Sequence, residues 1–246
     1  MYENNKVAVI IPAAGNSTRM YPDKNKQYIK IGGIPVLART LSVFEKNRYV
    51  DEIILIINKK YMKYCGKFII EKYNFSKIKE VAEGGQQRQD SCKNGIDALS
   101  RDVDFVLIHD GARPLVTDGI IENTLKSIKE HGVCCACVPV KDTVKIVNSE
   151  MDIIGTPERK SLYAAQTPQG FRHDILKEVY ERAYLEKYTA TDDVQIAEHY
   201  GYVPHVTEGS YENIKITTGE DLYTVKNIIK ERGRHENSPD ASGNLK

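Results

Sequence analysis

Short, continuous apolar runs alternate along the chain with longer stretches whose apolar side chains recur at helical spacing. The first run, Val7–Ile11, and the second, Ile53–Ile57, enclose one such helical stretch. Apolar runs without polar interruption are typical of strands that are covered on both faces, as in parallel sheets. The pattern therefore predicts βαβ units and an α/β fold, with a Rossmann-like, mostly parallel sheet flanked by helices.

The same alternation predicts the remaining elements. Further strands are expected at Ile78–Val81, Phe105–Ile108, Cys134–Val140, Leu162–Ala165, Tyr202–Val206 and Ile214–Ile216. Further helices are expected at Tyr61–Lys72, Arg88–Leu99, Ile175–Leu185 and Asp192–Tyr200, after Thr117, and after a capping box at Thr218–Asp221. Right-handed crossovers place the loops that enter these helices at the carboxyl ends of the strands, where open α/β sheets bind ligands.

The alternation breaks between Lys141 and about Leu162. Two short apolar segments, Thr143–Val147 and Met151–Ile154, flank a polar, turn-like stretch and predict a protruding β-hairpin arm over residues 141–162. An isolated hairpin is marginally stable in water, so we expect the arm to pack on a second subunit. Residues 233–246 are polar without an apolar face, which predicts a disordered tail after a single domain over residues 1–232.

Composition narrows the class of protein. The 246 residues suffice for one large α/β domain, and 35 Lys and Arg against 34 Asp and Glu give no basic field for nucleic acid or a membrane surface. No signal-peptide stretch opens the chain, and no apolar run approaches the ~20 residues that span a bilayer, so we expect a cytoplasmic protein. Three of the five cysteines, Cys134, Cys135 and Cys137, fall in one predicted strand and are expected to be structural.

Candidate chemistry begins directly after the first strand, in the run Ala13-Ala14-Gly15-Asn16-Ser17-Thr18-Arg19-Met20. Small residues leave backbone N–H groups open to an anion, while Arg19 and the following Lys26 supply positive charge. The glycine spacing fits neither a dinucleotide-binding loop nor a P-loop. A triphosphate-binding loop is therefore the functional interpretation, and an ordinary strand-to-helix turn is the alternative.

Four further polar stretches lie where predicted strands end or helices begin. They are Gly84–Ser91, His109–Pro114, Gln166–Phe171 and Tyr188–Asp193. Each alone is compatible with a capped helix or a solvated strand end, for example with Thr191 or Asp192 as an N-cap. Their shared placement at one edge of the sheet favours a common site.

Taken in order, these motifs resemble the 2-C-methyl-D-erythritol 4-phosphate cytidylyltransferase family. The resemblance runs from about Val7 to Ile229 and depends on the following sets of residues: Ala13-Ala14-Gly15, Arg19-Met20, Lys26-Gln27-Tyr28, Gly84-Gly85 with Arg88 and Ser91, His109-Asp110-Gly111-Ala112-Arg113-Pro114, Asp142-Thr143, Gln166-Thr167-Pro168-Gln169, Thr191-Asp192-Asp193 and Asn213–Thr217. Ser17 departs from the family pattern, where a glycine is usual, and Gly111 stands where alanine is common.

The resemblance implies a nucleotidyltransferase fold and a role for each matching residue. Arg19 and Lys26 would be catalytic, bracing the triphosphate. CTP would be bound by Pro12, Ala13, Ala14, Gly15, Gly85, Ser91 and Gly111. The sugar phosphate would be positioned by Asp110, Arg113, Thr191 and Lys215, together with Thr143 and Arg159 from the arm of the partner in a homodimer.

The implied reaction depends on electrostatic stabilisation by positive charge more than on a general base. A phosphate monoester is already largely dianionic at neutral pH, because its second pKa is about 6. Its attack on the α-phosphorus of CTP brings two polyanions together, so we expect Mg²⁺ to assist, held mainly by the substrate phosphates and also by Asp110, directly or through water.

Two other interpretations stay open. A ribitol-5-phosphate cytidylyltransferase shares the scaffold and many motifs, but Ala13-Ala14-Gly15 and Gln169-Gly170-Phe171 favour the methylerythritol substrate. A non-catalytic nucleotide-binding relative is the second alternative. The complete set of charged positions argues against it, since unused charges are costly to keep in a pocket.

Overall fold

The structure, a computed structural model, describes residues 1–15 and 25–236. Its strands are β1 Val7–Ala13, β2 Lys30–Ile31, β3 Ile34–Pro35, β4 Glu52–Ile57, β5 Ile78–Glu83, β6 Phe105–Ile108, β7 Val133–Pro139, β8 Ile146–Val147, β9 Ile153–Gly155, β10 Tyr163–Arg172 and β11 His205–Glu208. The main sheet has the order β11-β7-β10-β6-β1-β4-β5. Strand β10 is antiparallel to both of its neighbours and the other pairs are parallel, which confirms the mostly parallel sheet.

Helices flank this sheet. They are α1 Val36–Lys46, α2 Met62–Cys65, α3 Arg88–Asp97, α4 Asp118–His131, α5 His173–Glu186, α6 Asp193–His199 and α7 Gly219–Glu236. Short 3₁₀ helices cover Lys26–Tyr28, Lys59–Tyr61 and Arg159–Ser161, and a π-helix covers Gly66–Glu71. The single helix predicted over Tyr61–Lys72 is thus wrong in detail, because that stretch changes from 3₁₀ to α to π geometry.

The core lies on both faces of the sheet. In β1, Val9 and Ile11 pack on the side of α1 and α4, while Ala8 and Ile10 pack on the side of α3 and α5. All four side chains are fully buried. The uninterrupted apolar runs therefore belong to central strands covered on both faces, as the sequence predicts.

Two predicted strand boundaries and one predicted strand are wrong. Strand β10 continues beyond Ala165 to Arg172, with an irregular register before Gln169, because the polar side chains of this stretch are buried and hydrogen-bonded. Strand β11 begins at His205 rather than Tyr202. Residues Ile214–Ile216 form no strand: the Ile216 N–H donates to the carbonyl oxygen of Ala112, in the turn after β6, at 2.9 Å.

The stretch predicted to form the hairpin arm contains two short strands in the structure. Strands β8 and β9 pair antiparallel with each other and with no strand of the main sheet. We call residues 141–162 the arm. Its large apolar side chains are exposed: Val144, Ile146, Val147, Met151, Ile153 and Ile154.

The C-terminal helix α7 begins with the predicted capping box. The Thr218 N–H donates to Asp221 Oδ2 at 2.8 Å, and the Asp221 N–H donates to Thr218 Oγ1 at 3.3 Å. The helix extends to Glu236, so the tail predicted to be disordered from Gly233 starts within a helix, and residues 237–246 lie outside the described part of the chain. Within the described residues, no helix has the length and apolar character needed to cross a membrane.

Candidate active site

A pocket of about 420 Å³ lies at the carboxyl ends of β1, β5 and β6. It brings together nine of the residues predicted from the sequence: Pro12, Ala14, Gly15, Lys26, Gly85, Ser91, Asp110, Gly111 and Lys215. Other lining residues had no predicted role: Gln27, Asn58, Gly84, Gln86, Gln87, Arg88, Ala112 and Thr217. The pocket therefore lies at the edge where open α/β sheets bind ligands, as the sequence predicts.

One wall of the pocket is the turn between β5 and α3. The Gly85 N–H donates to Ser91 Oγ at 3.1 Å, and the Ser91 hydroxyl donates to the Gln87 carbonyl oxygen at 3.1 Å. A Cβ atom on Gly84 would lie 2.1 Å from the Ala14 Cβ, so only glycine lets the two loops approach this closely. Because the first residues of α3 line the pocket, the positive end of its helix dipole faces the pocket.

The floor of the pocket is organised around the carboxylate of Asp110. Lys215 Nζ lies 2.9 Å from Oδ2, Arg113 Nε lies 3.4 Å from Oδ2, and Arg88 Nε lies 3.6 Å from Oδ1. Burial alone would raise the pKa of Asp110, but these three cations outweigh it and hold the pKa well below its usual range. Asp110 is therefore ionised at neutral pH, and its carboxylate holds the three cationic side chains close together.

A hydrogen-bonded layer beneath this floor holds it in place. The Asp110 N–H donates to Thr167 Oγ1 at 3.1 Å. The Thr167 hydroxyl donates to His109 Nδ1, and His109 Nε2–H donates to the Arg113 carbonyl oxygen, each at 3.1 Å. Arg113 also donates to the Asn213 carbonyl oxygen at 2.7 Å. Burial lowers the pKa of His109 to about 4, so its ring is neutral and is occupied on both nitrogens.

The polar stretch that follows Ala165 in β10 fixes the start of α6. Gln169 Oε1 accepts hydrogen bonds from the backbone N–H groups of Asp193 at 3.0 Å and Val194 at 3.1 Å. Gln169 Nε2 donates to Asp192 Oδ2 at 2.9 Å. Asp192 is the N-cap of α6 and accepts from the Gln195 N–H at 2.9 Å, which decides between the two capping residues considered from the sequence.

Several predicted site residues do not line this pocket. Ala13 is buried within β1, and Arg113 is buried under Asp110. Thr191 donates to Gln195 Oε1 through both its N–H, at 2.7 Å, and its hydroxyl, at 3.0 Å. Thr143 and Arg159 are exposed on the arm, where Arg159 donates to the Lys141 carbonyl oxygen at 3.1 Å. Arg19 lies outside the described residues.

Metal ligands are sparse in the described part of the site. Residues 1–15 and 25–236 hold no cluster of three His, Cys, Asp or Glu side chains suited to a metal ion. Asp110 is the one carboxylate among the described lining residues, and Lys215 already contacts it. The five cysteines are buried free thiols.

Glycine-containing loops and cations at the carboxyl ends of an α/β sheet define a nucleotide-binding class of protein. The sequence profile of the family IspD, 2-C-methyl-D-erythritol 4-phosphate cytidylyltransferase, matches residues 7–231. The chain belongs to this family of nucleotidyltransferases.

Individual relatives agree with this assignment. The chain is 48% identical to the 2-C-methyl-D-erythritol 4-phosphate cytidylyltransferase of Alkaliphilus oremlandii over 227 residues, covering 92% of this chain and 96% of the relative. It is 45% identical to that of Clostridioides difficile, covering 93% and 96%. The crystal structure of 4-diphosphocytidyl-2C-methyl-D-erythritol synthase from Anaerococcus prevotii superposes with a TM-score of 0.82 at 33% identity, covering 92% and 96%.

Proposed function

We propose that this protein transfers the cytidylyl group of CTP to 2-C-methyl-D-erythritol 4-phosphate, a step of non-mevalonate isoprenoid synthesis. The products are 4-diphosphocytidyl-2-C-methyl-D-erythritol and pyrophosphate. Family membership over residues 7–231 supports the choice of reaction. The observation that carries it in the structure is the cationic floor around Asp110, which faces the glycine-containing wall of the same pocket.

The chemistry suits a site without a general base. An oxygen of the sugar phosphate attacks the α-phosphorus of CTP, and the bond from that phosphorus to the pyrophosphate oxygen breaks. The attacking monoester is largely dianionic at neutral pH, since its second pKa is about 6, so no proton has to be removed from it. His109, which directly precedes the lining residue Asp110, is neutral and engaged on both ring nitrogens.

Positive charge is the main contribution of the protein. Lys26, Arg88 and Lys215 line the pocket, while Asp110 offsets one of their charges. We infer that Lys26, with Arg19, stabilises the charge that develops on the triphosphate, and that Lys215 and Thr191 position the sugar phosphate. Pro12, Ala14, Gly15, Gly85, Ser91 and Gly111 would bind CTP, in keeping with their places in the pocket wall.

A divalent cation, Mg²⁺, fits this site if it binds together with the substrate phosphates. The two substrates together would carry more negative charge than the lining cations neutralise, and Mg²⁺ would supply further positive charge to stabilise the departing pyrophosphate. Its ligands would be mainly substrate oxygens, because Asp110 is already committed to Lys215. A water molecule could then connect Asp110 to the ion.

The arm supports a homodimer with shared active sites. Its apolar side chains are exposed, and Thr143 and Arg159 lie on it rather than in the pocket of their own chain. A two-fold pair would cover these side chains reciprocally and bring both residues to the partner's site. The free thiols of all five cysteines fit a reducing compartment, which supports a cytoplasmic location.

The test is a pyrophosphate-release assay with CTP and a panel of sugar-alcohol phosphates in the presence of Mg²⁺. We expect kcat/KM for 2-C-methyl-D-erythritol 4-phosphate to exceed that for ribitol 5-phosphate by a wide margin. A higher kcat/KM for ribitol 5-phosphate would overturn the substrate assignment. Release from neither substrate would favour a non-catalytic nucleotide-binding protein.

A further inference from the structure

We propose that Arg88 is a positioning residue that joins Asp110 to the buried Asp193 and so sets the sugar-phosphate side of the pocket. This inference rests on the proposed function for the identity of the two substrates. Arg88 belongs to the Gly84–Ser91 motif that resembles the family, and the proposed reaction gives it no individual role.

The geometry places one guanidinium between two carboxylates. Arg88 Nη2 donates to Asp193 Oδ2 at 2.7 Å, and Arg88 Nε lies 3.6 Å from Asp110 Oδ1. The side chains of Asp110 and Asp193 are 10% and 1% exposed. A planar guanidinium can serve two carboxylates at once, whereas an ammonium group is a single point charge.

Asp193 has few other partners. The Tyr180 hydroxyl donates to its Oδ1 at 2.5 Å, and the backbone N–H of Asp193 is held by Gln169. Among the described residues, Arg88 is the one cation within ion-pair distance of the Asp193 carboxylate. The ion-pair bridge Asp110–Arg88–Asp193 therefore neutralises a buried anion in the first turn of α6.

The bridge reaches the two elements that carry proposed sugar-phosphate contacts. Asp193 lies two residues after Thr191, and Asp110 holds the Lys215 ammonium at 2.9 Å. The cytidine side is fixed differently, because Gly85 and Ser91 hydrogen-bond to each other without help from the guanidinium. Loss of Arg88 should therefore displace the sugar-phosphate contacts more than the CTP contacts.

Steady-state kinetics of Arg88→Lys and Arg88→Met, with each substrate varied in turn, test this separation. We expect the KM for the sugar phosphate to rise at least ~10-fold, the loss typical of a hydrogen bond to a charged group. The KM for CTP should stay close to the wild-type value, because the Gly85–Ser91 hydrogen bond does not involve Arg88. Arg88→Lys should restore little of the loss. Arg101→Met, which removes an exposed arginine outside the pocket, is the matched control and should leave both KM values unchanged.

A second variant separates positioning from folding. Arg88→Met leaves Asp193 as a buried, unpaired charge, whereas Arg88→Met combined with Asp193→Asn removes that charge and keeps an acceptor for Tyr180. We expect the double variant to regain thermal stability and to keep the raised KM for the sugar phosphate.

Two outcomes would overturn the proposal. One is an unchanged sugar-phosphate KM in folded Arg88→Lys. The other is recovery of wild-type kinetics in the double variant, which would make the bridge purely structural. An inactive wild-type protein in the same assay would instead refute the proposed function, so the two failures are distinguishable.

Discussion

The floor of the pocket and the arm both carry residues of the predicted active site, but their side chains differ in burial and in pairing. Around Asp110, charged side chains are buried, paired and supported from below by Thr167, His109 and Asn213. On the arm, the apolar side chains are exposed, with Ile153 at 64%. The charged groups of the floor find their partners within one chain, whereas the apolar side chains of the arm stay uncovered, as the proposed homodimer requires.

In the proposed homodimer, each chain would contribute the floor of one site and the arm of the other. Burying a cluster of charges is costly unless each is paired, so the floor must be assembled during folding. Exposing apolar side chains to water also costs free energy, and this cost is removed only when another surface covers them. We therefore expect the two regions to respond to different perturbations.

The largest expected effect is on association through the arm. Replacing both Ile153 and Ile154 by serine removes an apolar side chain from either face of β9, so one loss falls in the interface whichever face the partner covers. At about 1.5–3 kcal/mol per buried side chain and two copies per dimer, the dimer dissociation constant should rise ~10²–10⁴-fold.

Analytical ultracentrifugation over a dilution series measures this constant. Val203→Ser, which changes an 87% exposed apolar side chain outside the arm, is the control. Equal dimer stability in all three proteins would show that the arm is not the interface.

The next effect concerns catalysis at the pocket. Replacing Lys26 by methionine should lower kcat by about 10²–10³, the usual cost of removing one group that stabilises transition-state charge. Binding of CTP should weaken less. The measurement is initial-rate pyrophosphate release, with Lys30→Met as a control because Lys30 is exposed and outside the pocket. Near-normal turnover of Lys26→Met would contradict the assigned charge stabilisation.

A smaller effect is the pH dependence of the floor. The pKa of buried His109 is about 4, below its ordinary 6.5, so the neutral ring contributes stability at pH values above 6.5. That contribution is lost as the pH falls from 6.5 towards 4, by about 3 kcal/mol in total. The free energy of unfolding of the wild type should therefore drop by this amount relative to His109→Gln, which has no titrating ring.

Denaturant unfolding at several pH values in this range checks the difference. His131→Gln, which removes an exposed histidine, should follow the wild type. Identical pH profiles for the wild type and His109→Gln would show that His109 is not held neutral.

The parts of the fold that were predictable are those with one dominant local signal. The apolar runs of β1 and β4, and the capping box of α7, each depend on neighbouring residues alone. Strand β10 was partly missed because Gln166, Thr167 and Gln169 are buried through hydrogen bonds with distant partners. A polar strand of this kind looks like a loop in sequence.

The same limit applies to the site. Small residues after β1 and β6 identified loops of the pocket, because a strand end and a glycine are local features. The pairing of Arg88 with Asp193 joins residues 105 positions apart, and no spacing rule connects them. Which predicted residues meet within one chain, and which lie on the arm, required the tertiary structure.

Subunit mixing tests directly whether the floor of one chain and the arm of another form each active site. Lys26→Ala and Arg159→Ala chains, each inactive alone, are mixed under conditions in which a tag demonstrates subunit exchange. One site of the heterodimer then collects both defects, while the other combines a normal Lys26 with a normal Arg159. The account predicts that pyrophosphate release returns, with one working site per heterodimer. Demonstrated exchange without any return of activity would contradict it.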